Sequence, residues 1–537
     1  MVKANEIDYS LNDPRNKWKI LQTHWRYGLW ALWVSMGTMM LGGDYLVGGQ
    51  LLPMEHFKEQ FGELLDGEYV IPSNYASAWS SIGLAFDLVA ALFTHPLMDK
   101  YGRKPLIFVA SIISIVGVLL QHLATEWRLH LVGRAINGAS IGITFTVSPL
   151  WIGETCRPEL RGFFLCFGNT SAVIGQLLFV LISYGTNFLD NNWSWKAPLM
   201  CQYIYPVLFL AGYYWFPESP LWLIRRERVE KAERSLRRMY GVNDERFYSM
   251  ELNRMQLENQ ALLDYEAAAL EDQKTLWFGI PEPVLFQCFR KTQIRRTFCS
   301  ILAVTSQQLA GGTFVTNYVT YFLQLINVSN YFLVSVILYI VMLISTCAAY
   351  PLVEVVGRRT LIVPASFILS VILLIIGIMG SISNQVAAGW VIVVMIFMWA
   401  LVFQVSLGAS SFVAASELAT LRLRAANQSL VTIFQALWSL IFQFTVPYMI
   451  SKDAGNLGGK TGYIFFGTCA TAFVFLYFYL PETKGLSFAT LDELFARGVP
   501  ARKFKTEGRK ITMELLDSRD RKKATEEEVE HIEDVDV

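Results

Sequence analysis

Residues 99–124 read DKYGRKPLIFVASIISIVGVLLQHLA: a short charged turn, then twenty positions without Asp, Glu, Lys or Arg. Twenty apolar residues in a helix reach about 30 Å, the thickness of the hydrocarbon core of a bilayer. A soluble core has no need of that length. Working outward, similar runs lie at 25–48, 75–98, 105–124, 128–151, 162–185 and 196–216, and after a polar interval at 297–325, 329–352, 360–380, 386–414, 422–450 and 461–480. Hydrophobic residues make up 53% of the 537 positions, above the roughly 45–50% of a soluble domain. The pattern predicts an all-α polytopic membrane protein whose twelve transmembrane helices form two six-helix pseudo-symmetric bundles. It divides the chain into a cytoplasmic N-terminal segment (1–24), a first bundle (25–216), a cytoplasmic helical linker (217–296), a second bundle (297–480) and a cytoplasmic tail (481–537).

Lys and Arg near span ends mark the cytoplasmic side. The loop at 99–104, Arg157 with Arg161, and Arg358 with Arg359 are the basic short loops, whereas the loop after the first span carries Glu55, Glu59, Glu63, Asp66 and Glu68 against Lys58. Both termini are therefore expected in the cytoplasm, in a protein of the plasma membrane. The N-terminus lacks the short apolar core of a signal peptide, so the first span is expected to serve as the insertion signal. Seven scattered cysteines show no metal-ligand or disulfide spacing and read as small buried hydrophobes. Zero net charge offers no field for nucleic acid. No nucleophile triad, metal cluster or phosphate-cradling loop is present, so neither an enzyme, a metal nor a cofactor is expected. Residues 217–296 interleave acids and bases, such as Glu227, Glu230, Lys231 and Arg234, and read as solvated amphipathic helices.

An internal repeat joins the halves. DKYGRK, GETCRPELRG and FPESP in the first recur in order as EVVGRR, SELATLRLRA and LPETKG in the second. Each copy holds a Gly-Arg turn, an acid seven residues before an arginine, and a Pro-Glu after a helix. Asp99, Arg103, Glu154, Arg161 and Glu218, with Glu354, Arg358, Arg359, Glu417, Arg424 and Glu482, could form a breakable cytoplasmic gate between the bundles. The plainer alternative is that they satisfy topology and cap helix ends.

Ionisable residues within spans are costly and therefore functional candidates. Asp44, in MMLGGDYLVGG, and Arg134, in GRAINGASIG, sit among glycines that allow close packing. A protonatable aspartate that holds an arginine only when ionised is a coupling device. Asp87 is a second candidate, or else a hydrated polar contact. The seventh span, SQQLAGGTFVTNYVTYF, places Gln307, Gln308, Thr313 and Asn317 around adjacent glycines that interrupt a helix. Uncharged amides and hydroxyls suit a neutral polyhydroxylated ligand. Gln176, Gln435 and Trp438 are similar, with hydrogen bonding between helices as the alternative.

These motifs resemble the sugar porter family of the major facilitator superfamily. The resemblance runs from about residue 28 to 505 and rests on DKYGRK, PLWIGE with ELRG, PESPLWL, QQLAG, EVVGRR, SELATLRLRA and LPETKG. PESPLWLIRR, QQLAGGTF, VPYMI, GKTGYIFFG and ELFARGVPARKFK look more like fungal α-glucoside (maltose-type) permeases than hexose carriers. The resemblance implies hydroxyl contacts from Gln176, Gln307 and Gln308 and proton coupling at Asp44 facing Arg134. Thr313 stands where hexose carriers have a binding asparagine, and Phe412 where they have an aromatic cap. Ala409 and Ser411 replace kinking prolines, which implies a stiffer tenth helix. The expected function is proton-coupled import of an α-glucoside or other sugar, with the sugar, protons and the lipid bilayer as partners. A membrane sugar sensor or an uncoupled facilitator is the alternative. Sequons at Asn192 and Asn327 lie on short outward loops.

Overall fold

The computed structural model describes residues 21–513 apart from 66, 272–275, 278–279, 282–283, 292, 327, 329, 383–384, 421–422, 485 and 487. The sequon at Asn327, and the side chains of Arg161, Glu354 and Arg424, lie outside the described set.

Among the described residues, nine helices are long and apolar enough to cross a membrane, and three further spans complete the twelve. The three are the first, α1 (Trp25–Leu51), and two broken ones. In the sixth, α7 (Trp193–Cys201) and α8 (Ile204–Gly212) meet at a turn. In the seventh, α13 (Ile294–Leu309) and α14 (Gly312–Leu325) meet at Gly311, whose φ of 84° only glycine adopts freely. Apolar length fails as a detector there because the chain interrupts itself with polar residues. Between α1 and α13 run α2 (Glu55–Phe61), α3 (Ser73–Tyr101), α4 (Lys104–Leu123), α5 (Trp127–Thr155) and α6 (Pro158–Thr186). The linker holds α9 (Pro220–Arg225), α10 (Val229–Tyr240), α11 (Glu245–Glu271) and α12 (Val284–Gln287). The second half continues with α15 (Tyr331–Val356), α16 (Arg358–Met379), α17 (Gln385–Phe403), a π-helical turn at Gln404–Gly408, α18 (Ala409–Leu418), α19 (Arg424–Ile450) and α20 (Thr461–Tyr479). A tail helix, α21 (Phe488–Ala496), follows.

Several spans outrun the hydrocarbon. α3, α5 and α6 have 29 residues each, or about 44 Å at 1.5 Å per residue, so their ends stand in the interfaces where the charged motifs lie. Within the membrane, glycines set the spacing. A Cβ on Gly138 of α5 would strike the Gly83 carbonyl of α3, and one on Gly42 of α1 would strike the Ala172 carbonyl of α6. Backbones that touch gain dispersion where no hydrophobic force acts.

Two expectations need correction. The linker helices are not simply solvated: Leu236, Met239, Tyr240, Phe247 and Tyr248 are buried in one cluster with Tyr27, Trp151 and Phe216 of the first half. Glu227 has a left-handed φ of 58° before α10 begins, so it makes no helical pair with Lys231. Only the exposed face fits the original reading, where Arg237 binds Glu233 and Glu245. Nor are all cysteines buried. Cys347 is exposed on the outer face of α15 and Cys201 is half-buried. The acidic loop after α1 also has structure: α2 is followed by a hairpin pairing β1 (Glu63–Leu65) with β2 (Glu68–Val70), Glu63 opposite Val70.

Replacing Gly138 by Val should force α3 and α5 apart, at a cost of about 1–3 kcal/mol or more. Thermal unfolding of purified protein checks this, with Gly153→Val as control because nothing lies near its Cβ position. Equal melting of both variants and the parent would remove the packing argument.

Candidate functional site

The glycines that bring α1, α3 and α5 together also bring Asp44 to Arg134. Both side chains are buried, and Arg134 Nη1 lies 2.7 Å from Asp44 Oδ1. Neither charge is left to its partner alone. Arg134 Nε donates to the Trp79 carbonyl at 3.2 Å, and Asn137 Nδ2 donates to Asp44 Oδ1 at 2.9 Å and to Gln202 Oε1 at 3.2 Å. Ser114 Oγ in turn donates to Asn137 Oδ1 at 2.9 Å. A buried ion pair needs such extra hydrogen bonds to offset its desolvation. Sequence reading missed Asn137 and Gln202, although Asn137 stands three residues after Arg134 on the same helix face. Asp87 does not join the pair: it is buried on α3 and meets no cation among the described residues.

A second, uncharged network surrounds the break in the seventh span. Gln307 Nε2 donates to the Leu407 carbonyl in the π-turn at 2.8 Å, and Gln435 Nε2 donates to Gln307 Oε1 at 3.3 Å. Across the break, Thr313 Oγ1 donates to Gln308 Oε1 at 2.7 Å. The carbonyls freed at the end of α13 are also satisfied, Leu309 by Thr468 Oγ1 at 2.7 Å and Ala310 by Trp399 Nε1 at 2.9 Å. Asn317 accepts from Thr316 Oγ1 at 3.0 Å, and its own carbonyl abuts Gly49 of α1. Trp438 stacks on Phe442. Gln176 is buried in α6 without a hydrogen bond to this network among the described residues, and Phe412 packs against Val304, Ala415 and Val431.

The tenth span retains an irregularity without its prolines. A π-turn immediately precedes Ala409, and such wide turns recur at functional sites. Its Gln404 accepts from Thr346 Oγ1 at 3.3 Å and from Asn169 Nδ2 of α6 at 3.5 Å, joining the two halves. Thr170 and Tyr350 join them again at 2.5 Å. None of these five was singled out from sequence; lone amides and hydroxyls carry no spacing signal.

At the end bearing the linker, the repeated charges fold into two matching clusters. Arg103 pairs with Glu154 in the first half and Arg358 with Glu417, at 2.7 Å, in the second. Glu218 accepts from the backbone N–H groups of Arg103 and Lys104, both at 3.0 Å, at the start of α4. Glu482 accepts from Arg358 N at 3.0 Å and Thr360 N at 3.2 Å at the start of α16. A carboxylate there meets unpaired donors and the positive end of the helix dipole. In this conformation every described pair closes within one half, so these residues brace each bundle and cap its helices rather than bridging the two. Asp99 contributes its backbone carbonyl, to Trp222 Nε1 at 2.9 Å and Arg226 Nη2 at 2.7 Å, and Arg359 spends its guanidinium on the Tyr477 and Leu480 carbonyls at the end of α20.

The halves are fastened at the opposite end. Gln50 Nε2 donates to Thr320 Oγ1 at 2.5 Å, Gln324 Nε2 to the Pro53 carbonyl at 3.1 Å, and the Ser73 N–H of α3 to Asp453 Oδ2 at 2.7 Å. Lys452 and Glu68 add an exposed pair at 3.3 Å.

Burial pushes the Glu218 carboxyl above the ordinary glutamate range, against the pull of its backbone donors. The folded protein therefore holds this proton more tightly than the unfolded chain, and stability should fall as pH rises from about 4.3 through the raised value. Glu218→Gln should lack that decline in melting temperature measured at stepped pH; an unchanged profile would show that another group causes it.

Residues 30–495 match the family described as Sugar (and other) transporter. Among relatives, the Major facilitator-type transporter ecdD of Aspergillus rugulosus is 25% identical, over 86% of this chain and 86% of its own length. The General alpha-glucoside permease of Saccharomyces cerevisiae is 27% identical over 89% of this chain and 76% of its own length. The High glucose sensor RGT2 of the same yeast is 27% identical over 92% of this chain and 65% of its own length. The inward open conformation of the xylose transporter XylE from E. coli shares the fold, with a TM-score of 0.68 at 19% identity, over 86% of this chain and 98% of that one. With the family matched over most of its length and the fold in agreement, this chain belongs to the sugar transporter family of the major facilitator superfamily: it is a twelve-helix integral membrane transporter and not an enzyme.

Proposed function

We propose that the protein imports an α-glucoside, or another oligosaccharide or hexose, together with a proton by alternating access. The observation that carries the reading is the buried Asp44–Arg134 pair, whose aspartate sits on α1, a helix that meets α14 of the other half. Protonation of Asp44 removes its charge and releases Arg134. Coulombic attraction in a medium of low dielectric then changes by several kcal/mol, enough to bias a two-state rearrangement. Gln307, Gln308, Gln435, Thr313 and Gln176 would hold the sugar, since amides both donate to and accept from hydroxyls. The relationship to an α-glucoside permease supports the substrate class. In this reading the basic linker end, with both termini, faces the cytoplasm and the membrane is the plasma membrane.

The driving force suffices. A charge crossing 100 mV gains about 2.3 kcal/mol and a pH unit adds about 1.4 kcal/mol. Together they support accumulation on the order of a hundredfold. A sensor is the second reading, favoured by the relationship to RGT2 and by a tail helix docked on the second half through Arg296 and Asp492 at 2.5 Å.

Uptake of labelled maltose and hexoses in cells lacking their own carriers should alkalinise the medium. Asp44→Asn should abolish accumulation while sparing exchange of labelled for unlabelled sugar. Binding without uptake would favour the sensor. Truncating Gln307 or Gln435 to Ala should weaken the apparent affinity about 2- to 10-fold each, the worth of one hydrogen bond; unchanged KM values would move the sugar site elsewhere.

A further inference from the structure

Besides Asp87, the proposed coupling leaves a buried imidazole without a role. His130 lies on α5, one turn before Arg134, and is 1% exposed. Phe57 and Phe61 of α2, Trp79 of α3 and Trp195 of α7 surround it, with ring centroids at 5.9, 5.8, 5.3 and 6.4 Å. Neither ring nitrogen has a hydrogen-bond partner among the described residues. In so apolar a box a phenylalanine would pack as well and leave no polar atom stranded. An imidazole is explained only if its nitrogens are used at another moment.

Between His130 and Arg134 is a cavity of about 10 Å³, closed by Val47, Gly48 and Leu51 of α1 together with Trp79. That is room for about one water molecule, with polar partners on two sides. Gly48 stands one turn beyond Asp44 on α1. The cavity thus separates the imidazole from the Arg134 guanidinium, with Asp44 behind Arg134, on the side of the bundle where α2 covers the first half.

We propose that His130 is a proton-transfer residue between the outer solution and the Asp44–Arg134 pair. The proposal rests on the proton-coupled reading. When the outer end opens and Phe57 and Phe61 part, an imidazole nitrogen takes a proton from external hydronium: one O–H bond breaks, leaving water, and an N–H bond forms. That N–H bond then breaks as the proton passes, through water admitted along the cavity by the same opening, to Asp44 beside Arg134, where an O–H bond forms. The imidazole returns to neutral, and Arg134 loses its anion. One proton enters and one resides on Asp44.

The charges around His130 favour transfer over storage. On its own helix Arg134 lines the same cavity and repels an imidazolium. From α1 the nearest acid is Asp44, the acceptor. The cap helix α2 turns Phe57 and Phe61 inward and leaves Glu55 and Glu59 exposed, α3 contributes Trp79, and α7 contributes Trp195 with the Lys196 ammonium 5.4 Å from that ring's centroid. A proton on His130 therefore has the Arg134 cation across the cavity and the Asp44 carboxylate beyond it.

The test compares the parent with His130→Phe and His130→Gln, recording proton-driven uptake of labelled sugar across external pH and sugar exchange at equal concentrations on both sides. Both variants should lose about tenfold or more of proton-driven uptake, while exchange, which needs no net proton movement, stays near the parent rate. A fall in His130→Gln as well as in His130→Phe marks proton transfer, because glutamine keeps a hydrogen bond to water but cannot relay. An unchanged uptake profile in either variant, or exchange falling in step with uptake, overturns the proposal. Absence of alkalinisation by the parent itself would instead overturn the coupled reading on which it rests.

Discussion

Inside hydrocarbon a backbone amide or a charge finds no water, and every other feature of this protein answers that constraint. Regular helices satisfy their own backbone, so most of the chain is helical. Where a helix breaks, side chains from other helices must replace the lost bonds. The seventh span shows how: the carbonyls of Leu309 and Ala310 are taken by Thr468 and Trp399, and the Leu407 carbonyl in the π-turn is taken by Gln307. The polar network around the break is thus structural in origin. It also gathers uncharged donors and acceptors at depth, which makes it fit for a hydroxylated solute.

The same constraint governs the ion pair. Asp44 and Arg134 can stay charged because each is held by the other and by Asn137 and the Trp79 carbonyl. Taking away the aspartate's charge unbalances the set, and that imbalance is what a transporter can exploit. Close contact at Gly37, where α1 meets α5, and at Gly138, where α5 meets α3, keeps the distances short, so packing and electrostatics are one problem here.

At the linker end, two copies of one motif solve a different problem twice. Gly102 and Gly357, with φ of 94° and 106°, turn the chain so that Glu218 and Glu482 can cap the next helix. A Cβ at either glycine would run into that carboxylate. Braced in this way, each half can move as a unit, and the bonds that hold the halves together are left to single contacts such as Gln50 with Thr320 and Asn169 with Gln404.

The twelve spans, the repeat and the candidacy of Asp44 and Arg134 were legible in the chain because hydropathy, spacing and intramembrane charge are local signals; that Asp44 faces Arg134 followed only from the family resemblance. The partners of the repeated charges were not legible, since spacing reports neither which carboxylate meets which arginine nor whether a carbonyl outcompetes it, as for Arg359. Burial of the linker's aromatic residues, the π-turn, Asn137, Gln202, Gln404 and the box around His130 were not legible at all. They depend on residues more than fifty positions apart meeting in three dimensions, as Phe57 meets His130. Sequence by itself determined which groups must leave water; only the tertiary structure decided what each of them found there, because a buried polar group's partner is set by the packing of helices and not by its neighbours in the chain.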